Sequence, residues 1–128
     1  MIRFKSRVRE LTRRSRGMSL EQFVEDLSRY LIGWRGYFGF CETPSVLRHL
    51  DQWIRRRLRC IAWKQWKRGY VRYAELCRRG VTAKMAANTA GSPQGLWRIS
   101  KSPALHRSLS VRFFRSAGLA TVEHGPAA

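Results

Sequence analysis

Between Thr43 and Arg68 the apolar residues Leu47, Leu50, Ile54, Leu58 and Ile61 follow one another at spacings of three, four, four and three. An α-helix puts residues so spaced on one face, whereas a strand turns every second residue to the other side, so the segment reads as an amphipathic helix of many turns. Thr43 is placed as its N-cap and Pro44 at the first helical position, where the missing amide hydrogen costs nothing.

The same periodicity recurs before and after. Phe4, Val8 and Leu11 form one stripe in a segment from Ile2 to about Arg14, while Arg3, Arg7, Arg9, Arg13 and Arg14 largely point away and Gly17 ends the helix. Ser19 and Gln22 have capping-box spacing. Leu20, Phe23, Val24, Leu27, Tyr30, Leu31 and Trp34 then make the most apolar helix of the chain, expected at its centre. That helix runs into GWRGYFGF, where Gly33, Gly36 and Gly39 recur every third residue and predict close backbone approach by a neighbour, with Trp34, Tyr37, Phe38 and Phe40 supplying packing.

Beyond Gly69 the pattern weakens. Val71, Ala74 and Leu76 suggest a short helix stopped by Gly80, Thr82 to Ala90 reads as another, and Asn88 to Gln94 as a loop followed by an anchoring segment, Gly95 to Arg98. Ser102-Pro103 predicts a final helix with Leu105, Leu109 and Phe113, ending at Gly118. The expected fold is all-α: a three-helix bundle over residues 1–68, a smaller helical extension over 69–122, and a disordered tail over 123–128. A chain of 128 residues, 44% hydrophobic, has enough apolar surface for one compact core.

Charge narrows the partner. Twenty-six Lys plus Arg against eight Asp plus Glu give a formal net charge of +18. Polyphosphate backbones supply the missing counter-charge and release condensed counterions on binding. Most of the cations are Arg, whose planar fork suits phosphate and stacks on bases. Anionic membrane surfaces are the competing target. No run of about 18 apolar residues is present to span a bilayer, and MIRFKSRVRE lacks the apolar core of a signal peptide. The expected location is the cytoplasm, with no membrane partner.

On the helix from Thr43 the side opposite the apolar stripe carries Arg48, Arg55, Arg56, Arg59, Lys64, Lys67 and Arg68, with Trp53, Trp63 and Trp66 interleaved. Cations and indoles displayed together offer phosphate contacts and stacking platforms, and the run lacks the alternating Glu that would pair it off at i,i+4. Cys41, Cys60 and Cys77 have no CxxC spacing, and adding His49 gives four ligands too scattered for zinc. Buried or idle thiols are the expected state, with neither metal nor cofactor.

GWRGYFGF followed by LDQWIRRRLRCIAWKQWKR resembles the maturase-specific (X, or thumb) domain of group II intron reverse transcriptases. The resemblance begins near RVRELTRRSRGMS and extends to Gly80-Val81, GLWRIS at Gly95 to Ser100, and GLATV at Gly118 to Val122. It implies a thumb-like bundle that grips structured intron RNA, or an RNA/DNA duplex beside a polymerase, and helps a ribozyme fold. Its motif positions here are Gly33, Trp34, Arg35, Gly36, Tyr37 and Phe38, and then Trp53, Arg55, Arg56, Arg57, Leu58, Arg59, Trp63, Lys64, Trp66, Lys67 and Arg68. Trp34, Tyr37, Phe38 and Leu58 are expected to pack, and the cations, Arg35 among them, to bind phosphate.

The departure from full-length members is equally informative. Their paired-aspartate polymerase motif has no counterpart, since the adjacent acids Glu25 and Asp26 fall on a predicted helix without a YxDD-like turn. Metal-dependent nucleotidyl transfer needs clustered carboxylates. His106 and His124 are isolated, so the paired histidines and cysteines of a family endonuclease are also missing. The expected function is therefore non-catalytic: a maturase domain that binds group II intron RNA and assists its splicing. Two alternatives stay open, a truncated remnant with generic nucleic-acid binding, supported by the start at Met1 just ahead of the first helix, and the thumb half of a split reverse transcriptase that assembles with a separate half.

Overall fold

The computed structural model describes residues 2–13, 18–38 and 43–123. Eight helices and no strand occur among them: α1 (Ile2–Leu11), α2 (Leu20–Phe38), α3 (Pro44–Gln65), α4 (Gly69–Arg78), α5 (Ala83–Ala90), α6 (Leu96–Ile99), α7 (Pro103–Ser108) and α8 (Val111–Ser116). The all-α expectation holds. Gly17, Gly39, Phe40, Cys41 and the tail beyond Glu123 lie outside the described residues.

The apolar stripes read from the sequence are the buried faces. Phe4, Val8 and Leu11 of α1, Phe23, Val24, Leu27 and Leu31 of α2, and Leu47, Leu50, Ile54, Leu58 and Ile61 of α3 all enter one hydrophobic cluster. Phe4 packs its ring 4.5 Å from Trp34 and 5.9 Å from Tyr30, which holds α1 on α2. Ser19 and Gln22 make the reciprocal capping box, the Ser19 amide donating to Gln22 Oε1 at 3.1 Å and the Gln22 amide to Ser19 Oγ at 3.3 Å. At the start of α3, Thr43 has extended backbone and Pro44 takes the first turn, but the Thr43 hydroxyl meets Ser45 Oγ rather than a backbone amide.

The cluster continues without a break into the second half of the chain through Leu76, Val81, Ala86, Ile99, Ala104, Leu105, Leu109, Phe114 and Val122. α4 pairs with α5, both touch α7, and α6 lies on α3. Gly80 (φ +96°) and Gly118 (φ +91°) stop α4 and α8 in the left-handed region. In each case the following amide reaches back five residues, Val81 to the Leu76 carbonyl and Leu119 to that of Phe114, which satisfies carbonyls the helix end leaves open. Thr82 caps α5 through the Met85 amide.

Two expectations on boundaries are corrected. The helix from Pro44 ends at Gln65 rather than near Arg68, because Lys67 turns into the left-handed region (φ 41°) and redirects the chain into α4. The single helix expected from Ser102 to Gly118 is two, broken at Leu109–Ser110. Ser110 Oγ accepts the Phe113 amide at 3.1 Å, the bond that Leu109 O would take in an unbroken helix. The freed Leu109 carbonyl accepts Arg59 Nε instead, at 2.8 Å. The predicted loop also shortens, since Asn88 to Ala90 belong to α5.

The segment after α8 runs back over α2 and α3. Ser28 Oγ donates to the Gly118 carbonyl and accepts the Ala120 amide, both at 3.0 Å. The Asp51 carboxylate receives the amides of Val122 and Glu123 at 2.9 and 3.1 Å. Burial raises the Asp51 pKa against the lowering effect of these two amides and of nearby Arg55.

Candidate nucleic-acid interface

α3 is the spine of the basic surface because its apolar stripe fixes its rotation: with Leu47 to Ile61 buried, the remaining positions must face outward or toward α1 and α6–α8. Its arginines do not simply project into solvent. Arg56 lies 3.9 Å over the Trp97 ring and donates Nη2 to the Trp97 carbonyl at 2.8 Å and Nε to Ser100 Oγ at 3.1 Å. Arg57 donates Nε to Thr12 Oγ1 at 2.7 Å. Arg59 is 3% exposed, is bonded to Leu109 O and lies 5.6 Å over Phe114. Burial, then repulsion from Arg55, pulls its pKa down to about 10.

This pattern has a common cause. Acids are scarce, so guanidinium groups turn to carbonyls at helix C-termini, where the helix dipole leaves negative partial charge. Arg59 serves the end of α7 and Arg56 the end of α6 in this way, Arg72 reaches the Trp63 carbonyl in the last turn of α3, and Arg107 reaches that of Gly80 after α4.

The expected RNA ligands therefore fall into distinct places. Lys64, Lys67 and Arg68 are exposed around the C-terminal end of α3. Arg55 and Arg56 are half-buried on the side facing α6–α8. Arg35 and Arg48 hold the C-terminal segment, Arg35 through the Thr121 carbonyl at 3.0 Å and Arg48 through Glu123 at 3.2 Å. Trp63 is 2% exposed, under the Arg72 guanidinium and edge-on to Trp66, so it is a core residue and not an open stacking platform; Trp66 is half-buried beside Arg79.

The residues expected to pack also divide. Trp34 and Leu58 pack as expected. Tyr37 is 83% exposed, and Phe38 and Ile32 are each 53% exposed. Among the described residues a Cβ added at Gly33 or Gly36 would meet nothing within 4 Å, which overturns the close helix packing expected at these two positions. These glycines lie on an open face.

Cations of α1 complete the surface. Lys5, Arg9 and Arg57 stand 5.9, 5.5 and 5.5 Å from the centre of the Trp53 ring, which joins cations of α1 to those of α3. Trp53 also lines a cavity of about 480 Å³ with His49, Gln52, Arg55, Arg56, Arg59, His106 and Val111. The sequence signals here were weak: Trp53 and Arg57 belonged to the motif, and Trp97 to GLWRIS, but nothing local brought Lys5, Arg9 or His106 to α3. Among the described residues no group of His, Cys, Asp and Glu is arranged to hold a metal ion.

Fold and surface together define an all-helical, strongly basic module built around one long arginine-rich helix. The family described as the maturase-specific domain of group II introns matches residues 1–80, from α1 through α4. The chain belongs to that family. No curated protein matches it significantly. Among the described residues no helix is long and apolar enough to cross a membrane.

Proposed function

We propose that this domain binds structured group II intron RNA and assists its folding toward the splicing-active form, acting without catalysis of its own in the cytoplasm. The observation that carries the reading is the gathering of Lys5, Arg9 and Arg57 around the Trp53 ring and of Arg55, Arg56 and Arg59 in the cavity that Trp53 also lines. Asp51 is the one acid on α3, and it is engaged by backbone amides. Such a surface carries uncompensated positive charge on a rigid helix, which suits recognition by phosphate position and shape. Lys64, Lys67 and Arg68 extend it past the end of α3, and Trp97, partly exposed beneath Arg56, adds an aromatic face.

The test is binding of the purified domain to the intron RNA nearest its gene against an unrelated structured RNA of equal length, across a salt series. The intron should bind more tightly at about 0.15 M salt, where the purely electrostatic contribution has fallen steeply. Coincident curves would leave a generic polycation, the behaviour of a remnant, and equal binding to anionic vesicles would favour a membrane partner.

A second reading concerns a protein partner. Ile32, Tyr37 and Phe38 are exposed beside the uncovered Gly33 and Gly36, in the motif that resembles the maturase thumb. This face suits docking of a separate reverse transcriptase half. Co-expression with a neighbouring fingers-and-palm reading frame should give a stable complex that Tyr37→Asp disrupts, and failure to co-purify would end this reading.

A further inference from the structure

The cavity of about 480 Å³ between α3 and the α7–α8 region brings together three guanidinium groups and two imidazoles, from Arg55, Arg56, Arg59, His49 and His106. Like charges so crowded repel one another, and a buried ion without a counter-ion is costly. Arg59 illustrates the problem: its hydrogen bond goes to a neutral carbonyl, and the charge acting on it is that of Arg55, of the same sign. Arg55 Nε is buried and has no hydrogen-bond acceptor among the described residues. The acids that act on Arg55 are Asp51 and Glu123, and both are engaged, Asp51 by two backbone amides and Glu123 by Arg48.

We propose that this cavity is a phosphate seat, which takes one phosphoryl group of a nucleic-acid strand between Arg55 and Arg59 on α3 and His106 on α7. Two of the three arginines are already held. Arg56 is fixed by Trp97 and Ser100, and Arg59 by Leu109, so little side-chain freedom remains to be lost when an anion enters. The size is that of a small-molecule site and leaves room for the sugar or base that carries the phosphate, with Trp53 and Gln52 in the wall. His106 and Val111 lie beyond the region matched by the family, so the seat is completed by the C-terminal half of this chain. The inference rests on the RNA-binding reading for its ligand, but its geometry is independent of the exposed cations at the end of α3.

Burial, followed by repulsion from Arg59, Arg55 and Arg56, holds the His106 pKa below its ordinary value. A bound phosphate reverses that repulsion. Titration of the histidine ring protons by NMR, with inorganic phosphate against chloride at matched ionic strength, should therefore show a saturable rise of the His106 pKa, with His106→Gln assigning the signal. Arg55→Gln should abolish the rise. If that variant does not fold, His106→Gln followed by calorimetry should weaken phosphate binding by about tenfold, the scale of one lost charge-assisted contact. A phosphate effect no larger than that of chloride, or affinity undiminished in the folded variants, overturns the seat.

Short RNAs of one sequence with a 5′-phosphate or a 5′-hydroxyl separate the sources. A response confined to the first assigns a strand end, and equal responses assign a backbone phosphate. The triple substitution Lys64→Gln, Lys67→Gln and Arg68→Gln should weaken intron RNA while leaving the inorganic phosphate response intact. Loss of the phosphate response with intron binding retained defeats the seat alone; a phosphate response without intron preference defeats the RNA reading alone.

Discussion

His106 shows how much a residue depends on neighbours distant in sequence. Partial burial and the arginines of α3 lower its pKa, so the folded state holds its proton less tightly than the unfolded chain does. Its contribution to stability is therefore complete above the unfolded value near 6.5 and is lost as pH falls through that value toward the lower folded one. Thermal melts between pH 7.5 and 5 should fall with acidification, and His106→Gln should flatten that part of the profile; an unchanged slope would place the pH dependence elsewhere. Nothing near His106 in the sequence announces this, since Arg55, Arg56 and Arg59 are about fifty positions away.

At the scale of the helix, α2 and α3 carry opposite lessons. Gly33 and Gly36 sit in the exposed second half of α2 with no neighbour near the missing Cβ among the described residues. Gly33→Ala should accordingly raise stability by about 0.5–1 kcal/mol, the cost of an exposed helical glycine, as read by denaturant midpoint. A loss of stability would mean that the glycine is needed within this chain. Just past the end of α3, Lys67 occupies the left-handed region, where a side chain costs on the order of 1 kcal/mol and glycine does not. Lys67→Gly should hold or raise the melting temperature while lowering RNA affinity and reducing the salt slope by about 1. An unchanged slope would remove Lys67 from the phosphate contacts. The apolar periodicity of both helices was legible, because burial selects residues by helix face; the end of α3 was not, because the stop is a backbone turn at a lysine.

For the whole molecule, the segment from Gly118 to Glu123 closes the fold by lying on α2 and α3 through Ser28, Arg35, Arg48 and Asp51. Asp51→Ala removes the acceptor of two amides and should destabilise the domain by about 1–3 kcal/mol, the penalty for buried groups left unpaired. Hydrogen exchange at the Val122 amide should accelerate ahead of that in the α2 core, and equal protection would show that the segment is held without the carboxylate. The same organisation explains the redistribution of the expected RNA ligands. In a chain with so few acids, arginines near helix ends become caps for carbonyls, and the cations left uncapped stay at the surface.

The α-helical class, the three apolar stripes, the capping box at Ser19, the excess of positive charge and the maturase motif could all be read along the chain, because each depends on spacing or composition within a few turns. The partition of the cations could not. Whether a cation is held by a backbone carbonyl, as Arg59 is at Leu109, or stands exposed, as Lys64 does, depends on which carbonyl lies within about 3 Å of it. That carbonyl comes from a helix dozens of residues away, and only the packing of α6, α7 and α8 onto α3 brings it there.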